Sequence, residues 1–181
     1  IVAIAANSFG ITAEALCYMP GYGIADAATT LVGQGIGAKK ENVAKYFAKI
    51  STMIGMVLMS AMAVIMFFAA PYIMAMLSAD AKVVALGTKI LRIEMFAEPM
   101  YAASIVASGA LRGAGDTFVP SLMNFGSIWL VRMPLSYLLS LSMGLRGMWF
   151  AMCIELIFRG SIFLYRLFKV RWWEKAKNRI Q

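Results

Sequence analysis

Apolar residues run through this chain in five long blocks, separated by short stretches where glycine, charged and small polar residues gather. A membrane-spanning helix needs about 20 mostly apolar residues, and each block is that long. The pattern predicts spans at about 1–36, 50–77, 84–111, 120–141 and 147–169, followed by a tail at 170–181. The second is the plainest, ISTMIGMVLMSAMAVIMFFAAPYIMAML, without a charge. The first is interrupted by Asn7, Glu14, Pro20, Gly21, Gly23 and Asp26, and predicts one tilted, broken helix that bends at MPGYG. Asp26 then reads as a group satisfying backbone at that break. Proline removes a backbone donor and strains the preceding turn, so Pro20, Pro99 and Pro134 mark the predicted kinks. The fold class is an all-α membrane protein, a polytopic helical bundle of about five transmembrane helices.

The third block organises the others. RIEMFAEPMYAASIVASGALRGAGDT (92–117) opens with Glu94 and Glu98 one turn apart and kinks at Pro99. Its small residues, from Ala102 to Ala110, offer a surface that another helix can approach closely. It closes on LRGAGDT, where one arginine and two glycines end the helix.

Composition agrees with the pattern. Of 181 residues, 61% are hydrophobic and 14% charged, with a mean hydropathy of +0.75. Soluble domains lie nearer half apolar and a quarter charged. The net charge of +8 would suggest nucleic acid in a soluble protein, but here the basic residues sit mainly between apolar blocks, so no nucleic-acid partner is expected. Lys39, Lys40, Lys45 and Lys49 at 37–49, with the basic, aromatic tail, set both connections on the cytoplasmic side. Connections at 78–82 and 142–146 then lie outside and 112–117 inside. Ile1 falls on the outer side within an apolar run, which suggests part of a longer protein. There is no histidine, so imidazole catalysis and His-ligated metal are excluded. Cys17 and Cys153 lack CxxC spacing. Fifteen methionines read as adaptable packing or as a substrate-facing lining. The glycines of LVGQGIGA and LRGAGDT lack phosphate-loop spacing.

Charges inside the spans carry the chemistry. By residue count Glu94, Arg132, Glu155 and Arg159 fall near mid-depth, with Glu98 nearer the cytoplasmic half and Glu14 well inside its span. Such residues are costly in lipid and face protein or a water-filled cavity. Glu155 and Arg159, at i, i+4, can neutralise each other. Arg132 can serve an acidic neighbour, with Glu94 the first choice, or take part in transport. Glu98 and Glu14 have no same-helix partner. Burial disfavours the charged form of a carboxylate, which suits such a group to bind and release a proton or to hold a cation. Tyr101, three residues past Glu98, shares its face and either lines the same cavity or packs at an interface. No catalytic group and no metal cluster is expected.

Two stretches resemble one family. PGYGIADAATTLVGQGIGAKK resembles the end of the second helix in a lobe of multidrug and toxic compound extrusion (MATE) transporters. ALRGAGDTFVPSLMNFGSIWLVRMPLSYLL resembles that family's fourth-to-fifth helix connection and the following helix. The resemblance implies that this chain is the C-terminal transmembrane lobe (1–181), helices 8 to 12, with the N-terminal lobe and helix 7 absent. It implies antiport, in which inward movement of Na+ or H+ drives export of small organic cations or drugs across the plasma (inner) membrane, with no other cofactor. One branch carries a tyrosine and an aspartate around a Gln-Pro step. Those positions here correspond to Ala97 and Tyr101, so Glu98 is a shifted carboxylate. Another branch keeps its acidic residues in the first lobe. The alternatives are a flippase of lipid-linked oligosaccharide from the same superfamily, an intramembrane lipid-modifying enzyme, and a non-transporting membrane scaffold.

Overall fold

The computed structural model describes residues 2–169 and Trp172. The expectations for Ile1 and for the tail, Trp172 apart, lie outside the described residues. Helices α1 (Val2–Gly37) and α2 (Glu41–Leu77) are continuous, with 36 and 37 residues. At 1.5 Å per residue each is about 55 Å long, well beyond the roughly 30 Å hydrocarbon core. Their corner is only three residues. Lys39 takes the left-handed conformation (φ 56°) and the Lys40 amide donates to the Gly35 carbonyl at 2.9 Å, a closure that ends many helices. The connection expected at 37–49 is therefore much shorter, and α2 starts before residue 50. Apolarity does not end this helix, because Ala44 and Ala48 are fully buried and packing extends it through the lysines.

The expected break at Pro20 is also absent: α1 stays α-helical through it, as α2 does through Pro71. Cys17 and Gly21 on either side are buried, and packed neighbours hold the turn. Asp26 is exposed and has no interrupted backbone to satisfy.

The block at 84–111 is two helices, α3 (Ala81–Met95) and α4 (Glu98–Gly113). The Asp80 carboxylate caps α3 by accepting the Lys82 amide at 2.8 Å. The break follows from Pro99, which lacks an N–H and crowds the Met95 carbonyl. The chain tightens instead, with the Ala97 amide donating to the Glu94 carbonyl at 2.8 Å. The block at 120–141 is α5 (Phe118–Ser127), a π turn (Ile128–Arg132) and α6 (Met133–Met143), helical throughout. The π turn sits just ahead of Pro134, with the Met133 amide reaching the Ile128 carbonyl. Gly144 (φ 59°) leads into α7 (Leu145–Lys169). Thus α1, α2 and α7 are each long and apolar enough to span, and the other two apolar blocks are each divided into shorter helices.

Helix α4 is the centre, packed on α1, α2 and α7. Ala102, Ala103, Val106, Ala107 and Ala110 are fully buried. Gly109 and Gly113 bring α4 onto the α1 backbone. A methyl at Gly109 would lie 2.5 Å from the Ala25 carbonyl, and one at Gly113 would strike that of Thr29. The Thr29 hydroxyl sits in the seam, donating toward Ala25 (2.8 Å) and Gly109 (2.9 Å). One core joins Val32, Ala44, Leu111, Phe163 and Trp172. Another joins Cys17, Met66, Leu91 and Met95.

Candidate functional site

The helix breaks at 96–97 and at the π turn lie beside Glu94, Glu98 and Arg132. Glu94 is next to last in α3 and Glu98 opens α4, so the tight turn at 96–97 folds both carboxylates inward. Each is 1% exposed, Glu14 on α1 is 7% and Glu155 on α7 is 0%. Glu14, Glu94 and Glu98 lie within electrostatic reach of one another. The Cys17 thiol, one turn from Glu14, lies beside Glu98.

The charges pair unequally. Glu155 Oε1 accepts the Ser127 hydroxyl at 2.5 Å and stands 3.3 Å from Arg159 Nε. That contact is an ion pair without hydrogen-bond alignment, since Arg159 Nε has no hydrogen-bond partner. Arg132, on the π turn, points its Nη2 at the Met152 sulfur (2.5 Å). It influences Glu14 and Glu94 from a distance, but the ion pair expected with Glu94 does not form. Extending the turn to five residues places Arg132 toward α7. Oε2 of Glu94 and both oxygens of Glu98 are buried with no hydrogen bond of regular geometry, the Cys17 thiol being the polar group beside Glu98. With Glu155 matched to Arg159, three carboxylates face one guanidinium. Among the described residues no three His, Cys, Asp or Glu side chains converge to enclose a metal ion.

Tyrosines line the next level. Tyr18 meets Tyr22 and Tyr101 edge to face at 5.8 and 5.9 Å, and Arg159 lies over the Tyr101 ring at 5.5 Å. Tyr101 therefore packs with Tyr18, and it is Tyr18 that lies within electrostatic reach of Glu98 and Glu14. The spacing Glu14, Tyr18, Tyr22 puts these residues on one face of α1, a signal available in sequence but masked by the surrounding apolar residues. Ser127, Cys17 and Met152 gave no such signal, because their roles depend on partners in other helices. Of the three expected kinks, Pro99 borders the carboxylates, Pro134 borders Arg132, and Pro20 alters nothing in its helix.

A second region lies further along α4. A cavity of about 240 Å³ is lined by Tyr22, Tyr101, Ser104, Ser108, Arg112, Asn124 and Arg159, with Ile105. Beyond it, Gly115 (φ 79°) closes α4 through the Asp116 amide, which donates to the Leu111 carbonyl at 3.0 Å. That closure sets the Asp116 carboxylate against Arg166 of α7 as an ion pair. An apolar groove of about 320 Å³ runs beside the α3–α4 break, between α2 and residues Met95, Phe96 and Pro99.

Comparison with known proteins places this arrangement. The MatE family profile matches residues 1–138. A probable multidrug resistance protein NorM of Chromobacterium violaceum is 33% identical over 92% of this chain, which spans 37% of that protein. The Thermotoga maritima protein of the same name is 29% identical, over 96% and 38%. The chain thus spans under two fifths of the curated relatives it matches. Among solved structures, the MATE transporter ClbM, in complex with Rb+, superposes with a TM-score of 0.87 at 22% identity, over 97% of this chain and 42% of that one. The eukaryotic MATE transporter AtDTX14 gives 0.87 at 20%, over 99% and 41%. These likenesses establish the fold, with the breaks, the buried carboxylates and the close α1–α4 seam set within it. This chain belongs to the MatE family, a family of membrane transporters rather than enzymes.

Proposed function

We propose that this chain forms one lobe of a secondary exporter, in which inward flow of Na+ or H+ drives efflux of small, mostly cationic organic compounds by alternating access. One observation carries the reading. Glu14, Glu94 and Glu98 are buried together with a single arginine in electrostatic reach, and three of their oxygens have no hydrogen bond of regular geometry. Uncompensated buried charge is strongly unfavourable, so the cluster requires added positive charge, as a proton, a metal cation or the cationic group of a substrate. Competition between ion and substrate for the same carboxylates is the minimum an antiporter needs. A switch follows only if the ion binds two conformations with different affinity, and the α3–α4 break between two of these carboxylates is where such a difference is built. Multidrug resistance names among the relatives and the Rb+ in the ClbM complex support the reading. The basic end of the bundle, with Lys39, Lys40, Lys45 and Arg112, faces the cytoplasm of the plasma (inner) membrane by the positive-inside rule.

The test uses the complete natural protein in inverted vesicles, a fluorescent organic cation, and proton and sodium gradients imposed separately. Glu98→Gln and Glu94→Gln each reduce gradient-driven transport by about tenfold or more, with membrane insertion retained. The gradient that drives the wild type identifies the ion. Undiminished transport in both variants and in Glu14→Gln places the coupling site elsewhere and overturns this reading.

A further inference from the structure

Helix α3 turns a basic stripe outward. Lys82, Lys89, Arg92 and Phe96 follow one another at helical spacing. Lys82, Lys89 and Phe96 are exposed, while Val83, Ile90, Leu91 and Glu94 are buried on the other side. Among the described residues no carboxylate lies within ion-pair distance of these three cations, and Asp80 at the corner is engaged as the cap of α3. Lysine and arginine collect at the cytoplasmic ends of spans, and the α2–α3 corner is the end opposite Lys39, Lys40 and Lys45. Positive charge there calls for an anion of its own.

Helix α2 sets the depth of the stripe. Its charge-free run begins after Lys49, and the roughly 30 Å hydrocarbon core takes about 20 residues from there, to the level of Ala70. Phe67 then lies about 5 Å inside the boundary and Ser60 about 15 Å inside, at mid-bilayer. Arg92 is level with Phe67, because its Nε donates to the Phe67 carbonyl at 3.1 Å and its guanidinium covers the Phe67 ring at 5.0 Å. Lys89, one turn nearer the corner, falls at the boundary, where a long cationic side chain extends to the headgroups.

The apolar groove of about 320 Å³ begins under this guanidinium. It runs along α2 from Phe67 and Phe68 down to Ser60, with Phe96 and Pro99 on the facing wall. Phe96 meets the Phe67 ring at 5.9 Å. The Ser60 hydroxyl donates to the Met56 carbonyl of its own helix at 2.6 Å, so the groove stays apolar to its end. From Phe68 to Ser60 is about 12 Å along the axis, close to the roughly 15 Å of hydrocarbon in one leaflet. We propose that the groove binds one anionic phospholipid, whose acyl chain lies along Phe68, Val64 and Ser60 while its phosphate is held by Lys89 and Arg92. An apolar slot aligned with the bilayer and capped by unmatched cations at headgroup level fits both parts of such a molecule. With its Nε on the Phe67 carbonyl, Arg92 has its two terminal nitrogens left for phosphate oxygens. The site is separate from the carboxylate cluster and does not depend on the export reading.

The experiment uses the complete natural protein in phosphatidylcholine nanodiscs carrying a trace of phosphatidylglycerol or of phosphatidylcholine with a photoactivatable diazirine in the acyl chain. Labelled positions are mapped by peptide mass spectrometry. The wild type is labelled at 60–68 and 95–99 about tenfold more by the phosphatidylglycerol probe than by the phosphatidylcholine probe. Lys89→Gln, at an exposed position, cuts the phosphatidylglycerol labelling about fivefold and leaves the phosphatidylcholine labelling unchanged. Val64→Trp, which fills the groove from an exposed lining position, lowers labelling there by both probes. Equal labelling by the two headgroups, or phosphatidylglycerol labelling that Lys89→Gln does not reduce, overturns the site. Absence of label in the groove while Leu130 and its exposed neighbours are labelled shows that another part of the natural protein covers it, and also overturns the proposal. A phosphatidylglycerol preference abolished by excess glycerol 3-phosphate assigns the cations to a water-soluble phosphate instead of a lipid.

Discussion

Arg92 shows how a single side chain stabilises an interrupted helix. Pro71 has no N–H, so the Phe67 carbonyl four residues earlier lacks its helical donor. Arg92 of α3 donates its Nε to that carbonyl at 3.1 Å and lies over the Phe67 ring at 5.0 Å. An unpaired buried carbonyl costs about 1–3 kcal/mol, and Arg92→Leu destabilises by that amount in thermal unfolding in detergent. Pro71→Ala supplies the missing amide. In the double variant the loss from Arg92→Leu shrinks by about 1 kcal/mol, a coupling that only shared use of one carbonyl produces. Strictly additive effects rule the assignment out. The proline was plain in the sequence, as was the arginine. Their connection was not, because 21 residues and a helix reversal separate Pro71 from Arg92.

At the level of elements, the α1–α4 seam and the broken third span depend on different residues. Gly109 is in contact with the Ala25 backbone, whereas a methyl at Gly23 of α1 meets nothing within 4 Å. The same substitution therefore has opposite signs. Gly109→Ala forces α1 and α4 apart and costs about 1–3 kcal/mol, while Gly23→Ala stabilises by about 0.5–1 kcal/mol through helix propensity. Denaturant titration in micelles checks both, and a neutral Gly109→Ala contradicts the seam. The small-residue run 102–110 was legible as a packing face because composition alone marks it. The fate of each proline was not. Pro20 and Pro71 leave their helices intact, Pro99 splits a span and Pro134 coincides with a π turn, since neighbouring helices decide whether a lost hydrogen bond can be tolerated.

Across the whole molecule, Asp116 and Arg166 tie the connection between α4 and α5 to the end of α7. The pair is mostly shielded, with side-chain exposures of 8% and 13%. Leaving either charge without its partner costs more than the pair contributes. Asp116→Arg and Arg166→Asp each lower stability by about 2–3 kcal/mol, and the exchanged pair recovers at least half. Melting temperatures of the three proteins test this, and no recovery in the exchange assigns the losses to local effects. Lys49 over the Phe168 ring at 5.5 Å adds α2 to the same end.

The sequence by itself determined an all-helical membrane bundle and the residues able to carry charge in lipid. Apolar length, glycine and proline positions and the expense of buried charge are local properties, readable along one strand of text. Tertiary structure decided which charges meet. The Glu155–Arg159 pair was legible as an i, i+4 spacing, but tertiary structure brought Ser127 to Glu155, turned Arg132 toward Met152 instead of Glu94, and gathered Glu14, Glu94 and Glu98 from two apolar blocks without pairing them. The physical reason is that an ion pair requires atoms within about 4 Å, and that distance is fixed by helix packing and by a five-residue π turn, neither of which a residue count along the chain contains.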